Sequence, residues 1–549
     1  MRILARVLVA AWLIAPAMGH AAAASAADVE RALAALAVAD GEQREAAVAA
    51  LGATGDPRWL AFLAALRDGH VYALKTTNQV VIAGARASRG GQDVADVTAA
   101  LDGRALGALP LADLVEIAAD RRLRIAIKPF LEADETRLQL KNGDPGVRRG
   151  AAVKLANAAD PARMPLIEEA LATEPDRWVR HALEEALALT RLGQNDPAVR
   201  VEAARTLGRL HASSALPALS RLAADEAASP AERAAAAAAV KAIERWTLLA
   251  TVVETAFQGA SLASILLLMA LGLAIVFGLM GVINMAHGEL MALGAYATFV
   301  VQAIFRERWP QHFDAYFVVA LPVSFVVAAS VGAVLERGVI RRLYGRPLET
   351  LLLTWGASLI IQQGLRLWFG AANVDVASPS WLSGGLAVMA GVTLPWNRVF
   401  IMALAAAAVV GMYALLFRTA AGLRIRAVTQ NRAMSACLGV RAGRVDTLTF
   451  ALGAGLAGLA GCALTQIGNV GPSLGQNYIV DSFMVVVTGG VGKLAGTLLA
   501  AGGIGGLGKS IEPALGAVFA KVAILIAVIL FLQSRPAGLF AARGRNAEA

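Results

Sequence analysis

GLAIVFGLMGVINMAHGELMALGAY, residues 272–296, is the stretch that decides the fold of this chain. It continues an apolar run in which no charged residue occurs between positions 255 and 286. A helix of roughly 20 apolar residues crosses the hydrocarbon core of a bilayer, and this run is longer than that. The stretch therefore predicts a membrane-spanning helix to about Met280, a polar turn, and a returning helix after His287.

The composition of the whole chain agrees with a membrane location. Of the 549 residues, 57% are hydrophobic and only 17% are charged, and the mean hydropathy is +0.59. These values are too apolar for an ordinary soluble protein. With the first run, about eight crossings are predicted, because further apolar segments occur at 315–335, 350–365, 399–417, 447–480, 482–492 and 513–534.

The basic residues predict how the crossings are oriented. The net charge is +9, the pI is about 9.9, and the basic excess lies in the second half of the chain. Because basic connections between membrane helices face the cytoplasm, we expect residues 337–346 and 418–444 to lie inside, and we expect no nucleic-acid partner. The arginines of the C-terminal tail also predict an inside location, whereas eight crossings from an outside start would leave the tail outside. The side of the C-terminus therefore stays open.

The first half of the chain is expected to be exported. Residues 1–26 have a basic start, an apolar core and an A-x-A site, which together indicate a signal peptide, with a short membrane anchor as the alternative. Residues 27–245 are Ala- and Leu-rich, and Asp residues precede helix-like repeats at 144–148, 176–180 and 196–200. This pattern predicts a HEAT-like helical repeat domain, an architecture that usually provides an interaction surface. One stretch, HVYALKTTNQVVIAG (70–84), alternates like a β-hairpin.

A nucleotide-binding consensus occurs near the C-terminus. GIGGLGKS, residues 503–510, matches G-x-x-x-x-G-K-[ST] letter for letter. A genuine phosphate loop follows a buried strand and opens a helix, but here the preceding LAGTLLAAGG belongs to an apolar segment and Pro513 follows closely. Close packing of glycine-rich helices, or chance, explains the match better. We therefore expect no ATPase site in this chain and no enzymatic activity of its own.

Cofactor and metal sites are not predicted either. The two cysteines, Cys437 and Cys462, form no C-x-x-C pair and are not near clustered histidines. Polar residues at membrane depth are more informative, because they are energetically expensive and usually line a cavity or face a partner. Asn284, His287 and Glu289 interrupt the apolar run and are candidates for a substrate pathway, the alternative being a polar turn at the membrane interface. Gln362 is a further candidate, for which helix–helix hydrogen bonding is the alternative.

Three long stretches resemble a known family. GLAIVFGLMGVINMAHGELMALGAY (272–296), GLRIRAVTQNRAMSACLGVRAGRVDTLTFALGAGLAGLAGCAL (422–464) and FMVVVTGGVGKLAGTLLAAGGIGGLG (483–508) are similar to permease subunits of the branched-chain amino acid ABC importer family. The similarity covers nearly all of 257–540. A signal peptide and a helical domain before such a permease resemble the urea-importing branch, specifically its first permease subunit.

The resemblance implies a coupling segment and several partners. In the ABC family a short cytoplasmic helix docks in a cleft of the ATPase, and the matching segment here runs from Arg424 to Gly439, with Arg426, Asn431 and Ala436 as further candidate coupling residues. The alternative is a plain basic loop. The implied partners are a second permease subunit, two ATPase subunits, a periplasmic solute-binding protein and membrane lipid.

These observations combine into one expectation for the whole chain. It is expected to be all-α, with a signal peptide (1–26), an exported HEAT-like domain (27–245) and a polytopic permease domain (246–549) in the cell inner membrane. The expected function is import of urea by alternating access, driven by separate ATPases. Import of branched-chain amino acids or short amides, and a membrane scaffold that transports nothing, are the alternatives.

Overall fold

The computed structural model describes residues 26–38, 41–54, 56–89 and 92–540. The predicted signal peptide lies outside this range except for its last residue. Two compact units can be separated: the first runs through Leu210 and includes Pro217–Ala237, and the second comprises His211–Leu216 and the chain from Ala238 onward.

The first unit begins with three helices and a sheet. The helices are α1 (Ala26–Val38), α2 (Gly41–Ala53) and α3 (Pro57–Arg67), and the strands are β1 (Val71–Leu74), β2 (Val80–Arg89), β3 (Gln92–Ala99), β4 (Ala105–Pro110) and β5 (Leu114–Glu116). The strands form an antiparallel sheet in the order β4-β3-β2-β1-β5. The predicted hairpin at 70–84 is present, with Tyr72 opposite Val81.

The prediction of an all-α chain is wrong for this sheet. The buried side chains of its core include Val81 and Ala83 on β2 and Ala95, Val97 and Ala99 on β3, which alternate with the period of two that a strand requires. Most of these residues are small. Their alternation was hidden in a composition as rich in alanine as the neighbouring helices, so only the hairpin at 70–84 was visible in the sequence.

The rest of the first unit is helical. Its helices are α4 (Arg121–Leu140), α5 (Pro145–Ala158), α6 (Met164–Thr173), α7 (Arg177–Leu192), α8 (Pro197–Leu210) and α9 (Leu216–Ala224). The three repeated aspartates cap helices as predicted: the carboxylates of Asp144, Asp176 and Asp196 accept backbone N–H groups at the starts of α5, α7 and α8. The HEAT-like assignment and the limits 27–245 stay predictions.

The second half of the chain is dominated by long helices. They are α10 (Pro230–Met280), α11 (His287–Arg308), α12 (Tyr316–Gly338), α13 (Pro347–Phe369), α14 (Trp396–Arg418), α15 (Ala420–Gln430), α16 (Arg432–Cys437), α17 (Ala442–Leu464), α18 (Leu474–Gly489) and α19 (Leu494–Ser534), with a small hairpin of β6 (Gly385–Met389) and β7 (Val392–Pro395). In the part of the chain that the structure describes, six helical segments are long and apolar enough to cross a membrane: α10, α11, α12 with the short turn before it, α14, α17 and α19.

The number of crossings stays a prediction, because three helices are ambiguous by this criterion. α13 has 23 residues but is not among the six, and α18 has only 16 residues. α19 is broken at Gly516, whose positive φ of 78° divides it into two arms. A total of about eight would result from counting α13 and both arms of α19.

The last described residues pack at the end of α18, beside the end of α10. Leu539 N–H donates to the carbonyl of Thr488 at the end of α18 (2.8 Å). The chain just after α18 packs at Gly492 against Gly278, near the end of α10. Val470 pairs with Val374 in the connection after α13, so the short segment from 470 to 489 runs from one end of the helical unit to the other. The sequence does not separate this segment from the apolar run at 447–480, and for that reason the sequence alone leaves the side of the C-terminus open.

The nucleotide-binding consensus has a packing role in the structure. Residues 503–510 lie inside α19 and are helical, so they do not form a loop ahead of a helix. Gly505 lies against Ala263 of α10, and Gly506 lies against Gly259. Glycines therefore allow α19 and α10 to approach each other closely, which is the packing explanation of the match.

At the centre of the second unit, α11 and α17 meet along a seam of glycines, where backbone contacts backbone. A Cβ atom added at Gly461 would overlap the carbonyl oxygen of Met291, and Gly294 and Gly458 meet backbone to backbone in the same way. Glycines at these positions let the helices pack at backbone distance, which is how membrane helices associate when lipid offers no hydrophobic drive.

We predict that Gly461→Ala destabilises the protein by about 1–3 kcal/mol, the usual cost of overpacking. The matched control is Gly411→Ala on α14, where an added Cβ meets nothing within 4 Å. Thermal unfolding of the full-length protein in detergent, followed by size-exclusion chromatography, measures the difference. Equal midpoints for the two variants would contradict close packing at this seam.

A second prediction concerns an ion pair in the first unit. Glu174 is buried, and its carboxylate accepts two hydrogen bonds from the Arg148 guanidinium at 2.8 and 2.9 Å. This guanidinium holds the pKa of Glu174 below its ordinary value. A carboxyl with a depressed folded pKa stabilises the fold above its unfolded pKa, about 4.3, and that contribution is lost as the pH falls through the folded pKa.

We therefore expect Glu174→Gln to lower the free energy of opening of α5 and α7 by roughly 2 kcal/mol at pH 7. Below about pH 4 the difference from the wild type should shrink. Hydrogen exchange of the full-length protein measures both. Glu168→Gln is the control, since Glu168 pairs with Arg191 at 3.0 Å on the surface, where ion pairs contribute about 0–1 kcal/mol. A control as damaging as Glu174→Gln would disprove the assignment.

Candidate functional site

The polar segment at 281–289 re-enters the helical unit. α10 ends at Met280, Gly281 has a positive φ of 67°, and the chain is not helical again until His287 begins α11. Nε2 of His287 lies 3.1 Å from the carbonyl oxygen of Met269. Met269 is about three turns, or roughly 16 Å, before the end of α10. The segment after α10 therefore folds back along that helix, and α11 begins at depth.

Each of the three predicted pathway residues in this segment is buried and only partly satisfied. Asn284, His287 and Glu289 are at most 1% exposed. Asn284 Oδ1 accepts the N–H of Ala286, and Glu289 Oε1 accepts the hydroxyl of Ser358 at 3.3 Å. Within the described ranges, Asn284 Nδ2, His287 Nδ1 and Glu289 Oε2 have no hydrogen-bond partner. Unpaired buried polar atoms are uncommon in native proteins, and such atoms typically meet water or a ligand.

Helix α13 presents a polar stripe to this segment. Its buried residues Thr350, Thr354, Ser358 and Gln362 are spaced by four and therefore share one face of the helix. The Thr354 hydroxyl accepts the N–H of Met285 (3.1 Å). Residues on the remaining faces, including Leu352, Ile360 and Leu367, are exposed. The helix is polar inside and apolar outside, the arrangement expected where the surroundings are lipid and the interior holds the polar groups.

The structure brings together Glu289 and Ser358, whereas Gln362 has a different partner. Gln362 Oε1 accepts a hydrogen bond from Nε2 of Gln476 on α18, at 3.4 Å. Sequence reasoning did not select Thr354, Ser358 or Gln476 as site residues. Between 350 and 362 a hydroxyl or amide residue recurs at every fourth position, and this pattern could have identified the first two. Gln476 had no comparable signal.

The predicted coupling segment forms two short helices. α15 ends at Gln430, and Asn431, whose backbone is extended, separates it from α16. The side-chain oxygen of Asn431 caps α16 by accepting the N–H of Met434 (2.9 Å). Gly439 has a φ of 83°, and the N–H of Val440 donates to the carbonyl of Ser435, so the segment ends in a glycine stop. Ala436, Met434 and Leu438 are exposed, whereas Val428 is buried against the protein. α16 therefore presents a small apolar surface to its surroundings.

Contacts of Arg432 connect α16 to the long helices. Its guanidinium pairs with Asp446 of α17 at 2.6 Å and lies 4.7 Å from the centre of the Tyr344 ring. Burial raises the pKa of Tyr344 well above its ordinary value, so its hydroxyl stays protonated and donates to Glu336 at 3.2 Å. Glu336, at the end of α12 and fully buried, also pairs with Arg341 (3.1 Å).

The other predicted coupling arginines point to different surroundings. Arg426 lies over the ring of Phe417 with its guanidinium carbon 5.0 Å from the ring centre. Arg424 lines a cavity of about 720 Å³ between α14, α15 and α17. Both cysteines are free, and no group of three metal-ligating side chains occurs among the residues searched, which are those that the structure describes.

Comparison with known proteins identifies the family. The family profile described as branched-chain amino acid transport system / permease component matches residues 255–533. The permease protein BraD of the high-affinity branched-chain amino acid transport system of Pseudomonas aeruginosa is 29% identical over 293 residues, which is 51% of this chain and 93% of BraD. The permease protein LivH of Escherichia coli is 29% identical over 294 residues, which is 51% of this chain and 92% of LivH.

A probable LivH permease of Methanocaldococcus jannaschii is 27% identical over 295 residues, covering 50% of this chain and 89% of that protein. No solved structure matches. The matched region begins in α10 and ends in α19, so it contains the re-entrant segment, the polar stripe and the coupling segment. The chain belongs to the family of branched-chain amino acid transport system permease components, and is therefore a helical membrane permease subunit of an ABC importer.

Proposed function

We propose that this permease subunit forms part of the path by which an ABC importer carries urea across the inner membrane. The observation that supports this substrate is the chemistry of the buried polar set around 284–289. It offers amide and hydroxyl groups from Asn284, Ser358 and Gln362, together with the carboxylate of Glu289, and the exposed Gln476 donates a hydrogen bond to Gln362. Urea is neutral and both donates and accepts hydrogen bonds, so such groups match it.

An amino acid would require additional charge from the protein. Its carboxylate and ammonium groups both need ionic partners when they leave water. Glu289 is available for the ammonium group, but no Arg or Lys hydrogen-bonds or ion-pairs with this polar set in the described ranges. The cationic partner for a carboxylate would have to come from another subunit.

Import of branched-chain amino acids is the second candidate. The names of BraD and LivH favour it, since both belong to high-affinity branched-chain amino acid transport systems. Apolar residues such as Leu290, Met291 and Ile361 lie beside the polar set and would suit an aliphatic side chain. Uptake of labelled urea and labelled leucine by the reconstituted complex separates the two. Saturable leucine uptake without urea uptake would overturn the urea proposal and leave the permease assignment intact.

The coupling segment provides a physical route from ATP hydrolysis to the path. The exposed apolar surface of α16 would dock in a cleft of an ATPase subunit, and closure of two ATPases would displace it. Because Arg432 contacts Asp446 and Tyr344, and Tyr344 contacts Glu336, a displacement of α16 would act on α17 and on the end of α12. A second permease subunit and a periplasmic solute-binding protein would complete an importer that works by alternating access.

A membrane scaffold without transport is the remaining candidate from another class. Affinity purification of the full chain in mild detergent separates the two, because a permease brings down ATPase subunits and a scaffold does not. In the permease proposal, the domain at 27–245 lies in the periplasm after removal of the signal peptide at 1–26, and the arginine-rich connections lie inside.

Gln362 and its neighbour allow a matched test of the path. Gln362 is 6% exposed, whereas Gln363 on the same helix is exposed. We predict that Gln362→Leu lowers substrate uptake roughly tenfold, because it removes a buried hydrogen-bonding amide from the polar set. Gln363→Leu should transport normally. The two uptake rates are compared in proteoliposomes, with ATPase activity as the check on assembly, and equal rates would remove Gln362 from the path.

Leu438 allows a matched test of coupling. Its side chain is 78% exposed on the coupling segment, and Leu348 is 79% exposed after the other arginine-rich connection. We predict that Leu438→Asp weakens binding of the ATPase subunits at least tenfold, since an apolar contact of this size is worth about 1.5–3 kcal/mol. Leu348→Asp should bind them normally. Co-purification and substrate-stimulated ATPase activity measure the effect, and undiminished binding of Leu438→Asp would contradict docking at α16.

A further inference from the structure

The cavity between α14, α15 and α17 has a basic rim and an apolar wall. Its volume is about 720 Å³, and Arg424, Arg441 and Arg444 line it. In the described part of the chain, no carboxylate pairs with any of these three guanidinium groups. Three neighbouring cations without a counter-ion repel each other, so this cavity favours an anion.

The apolar wall continues from the rim along the membrane-spanning helices. The cavity is lined on this side by Arg441 at the N-cap of α17 and then, at helical spacing along the helix, by Arg444, Val445, Leu448 and Leu452. Leu448 is 67% exposed. Leu415 of α14 also lines the cavity. A ligand that fits this cavity has an anionic head beside the arginines and an apolar chain along the leucines.

The start of α17 strengthens the preference for an anion. The helix begins at Ala442, and Arg441 at its N-cap position makes no capping hydrogen bond through its side chain. Cations at this end of a helix oppose its dipole, whereas an anion is stabilised by it. An anion beside Arg441 and Arg444 would remove this conflict.

We propose that this cavity binds an anionic glycerophospholipid of the leaflet that contains the arginine-rich connections. The phosphate lies among Arg424, Arg441 and Arg444, and an acyl chain lies along Leu415, Leu448 and Leu452. A free phosphate would satisfy the arginines but leave the leucine wall unused. Basic pockets between membrane helices are suited to such headgroups. The lipid would hold α15 against α17, and its binding does not depend on which substrate is transported.

Native mass spectrometry of the full-length protein in detergent tests the proposal. The protein is titrated with dioleoylphosphatidylglycerol, dioleoylphosphatidylcholine or inorganic phosphate. We expect retained phosphatidylglycerol and little of the other two. The variant Arg441→Gln/Arg444→Gln should bind phosphatidylglycerol at least tenfold more weakly, given the usual contribution of basic residues near anionic lipid. The control is Arg337→Gln/Arg342→Gln, which removes two exposed arginines from the other connection.

A second variant distinguishes a lipid held inside the cavity from a lipid attracted only by the charge of the arginines. Ala421→Phe fills the cavity and keeps all three arginines, so it should also lose phosphatidylglycerol. Equal lipid retention by the double variant and its control would overturn the proposal, as would phosphate binding as well as the lipid. Loss of ATPase co-purification with unchanged lipid binding in the double variant would show that an ATPase subunit covers the cavity instead, and would also overturn it.

Discussion

The membrane-spanning unit depends on one constraint, which is that hydrocarbon offers no hydrogen bonds. Polar groups at membrane depth must therefore point inward, and helices must gain contact area without help from water. α13 meets the first requirement by turning Thr354 and Ser358 inward and Leu352 and Leu367 outward. The seam between α11 and α17 meets the second, because its glycines allow backbones to touch. The same constraint thus produces both the tightly packed centre and the polar set beside it.

Tight packing beside an incompletely satisfied polar set has a consequence for transport. His287 and Glu289 lie at the start of α11, and the neighbouring Gly288 packs against Gly475 of α18. A movement of α17 or α18 would therefore be transmitted to the polar set through backbone contacts, since such a core has little free space to absorb it. The ion pair of Arg432 with Asp446 lies near the start of α17, at the opposite end of that helix from its glycine contacts with α11. In the proposed mechanism, force from an ATPase would enter at this ion pair.

Structural features that are encoded within one or two helical turns of sequence were predicted correctly. The aspartates at 144, 176 and 196 cap helices, and the GVINMAHGE turn separates α10 from α11. The sheet of the first unit was missed because its alternating residues are small and resemble helical composition. The polar stripe of α13 was found only at Gln362, since glutamine in an apolar segment is conspicuous, whereas threonine and serine are common in membrane helices.

The sequence by itself determined the membrane location, the family and the position of the polar break, because hydropathy, capping and motif similarity are carried by neighbouring residues. Only the tertiary structure decided that Glu289 meets Ser358, that Gln362 meets Gln476, and that Arg432 reaches both Asp446 and Tyr344. It also decided that three arginines share a cavity with a row of leucines. These contacts join separate helices, and the rotation of one helix against another is set by how their whole surfaces pack.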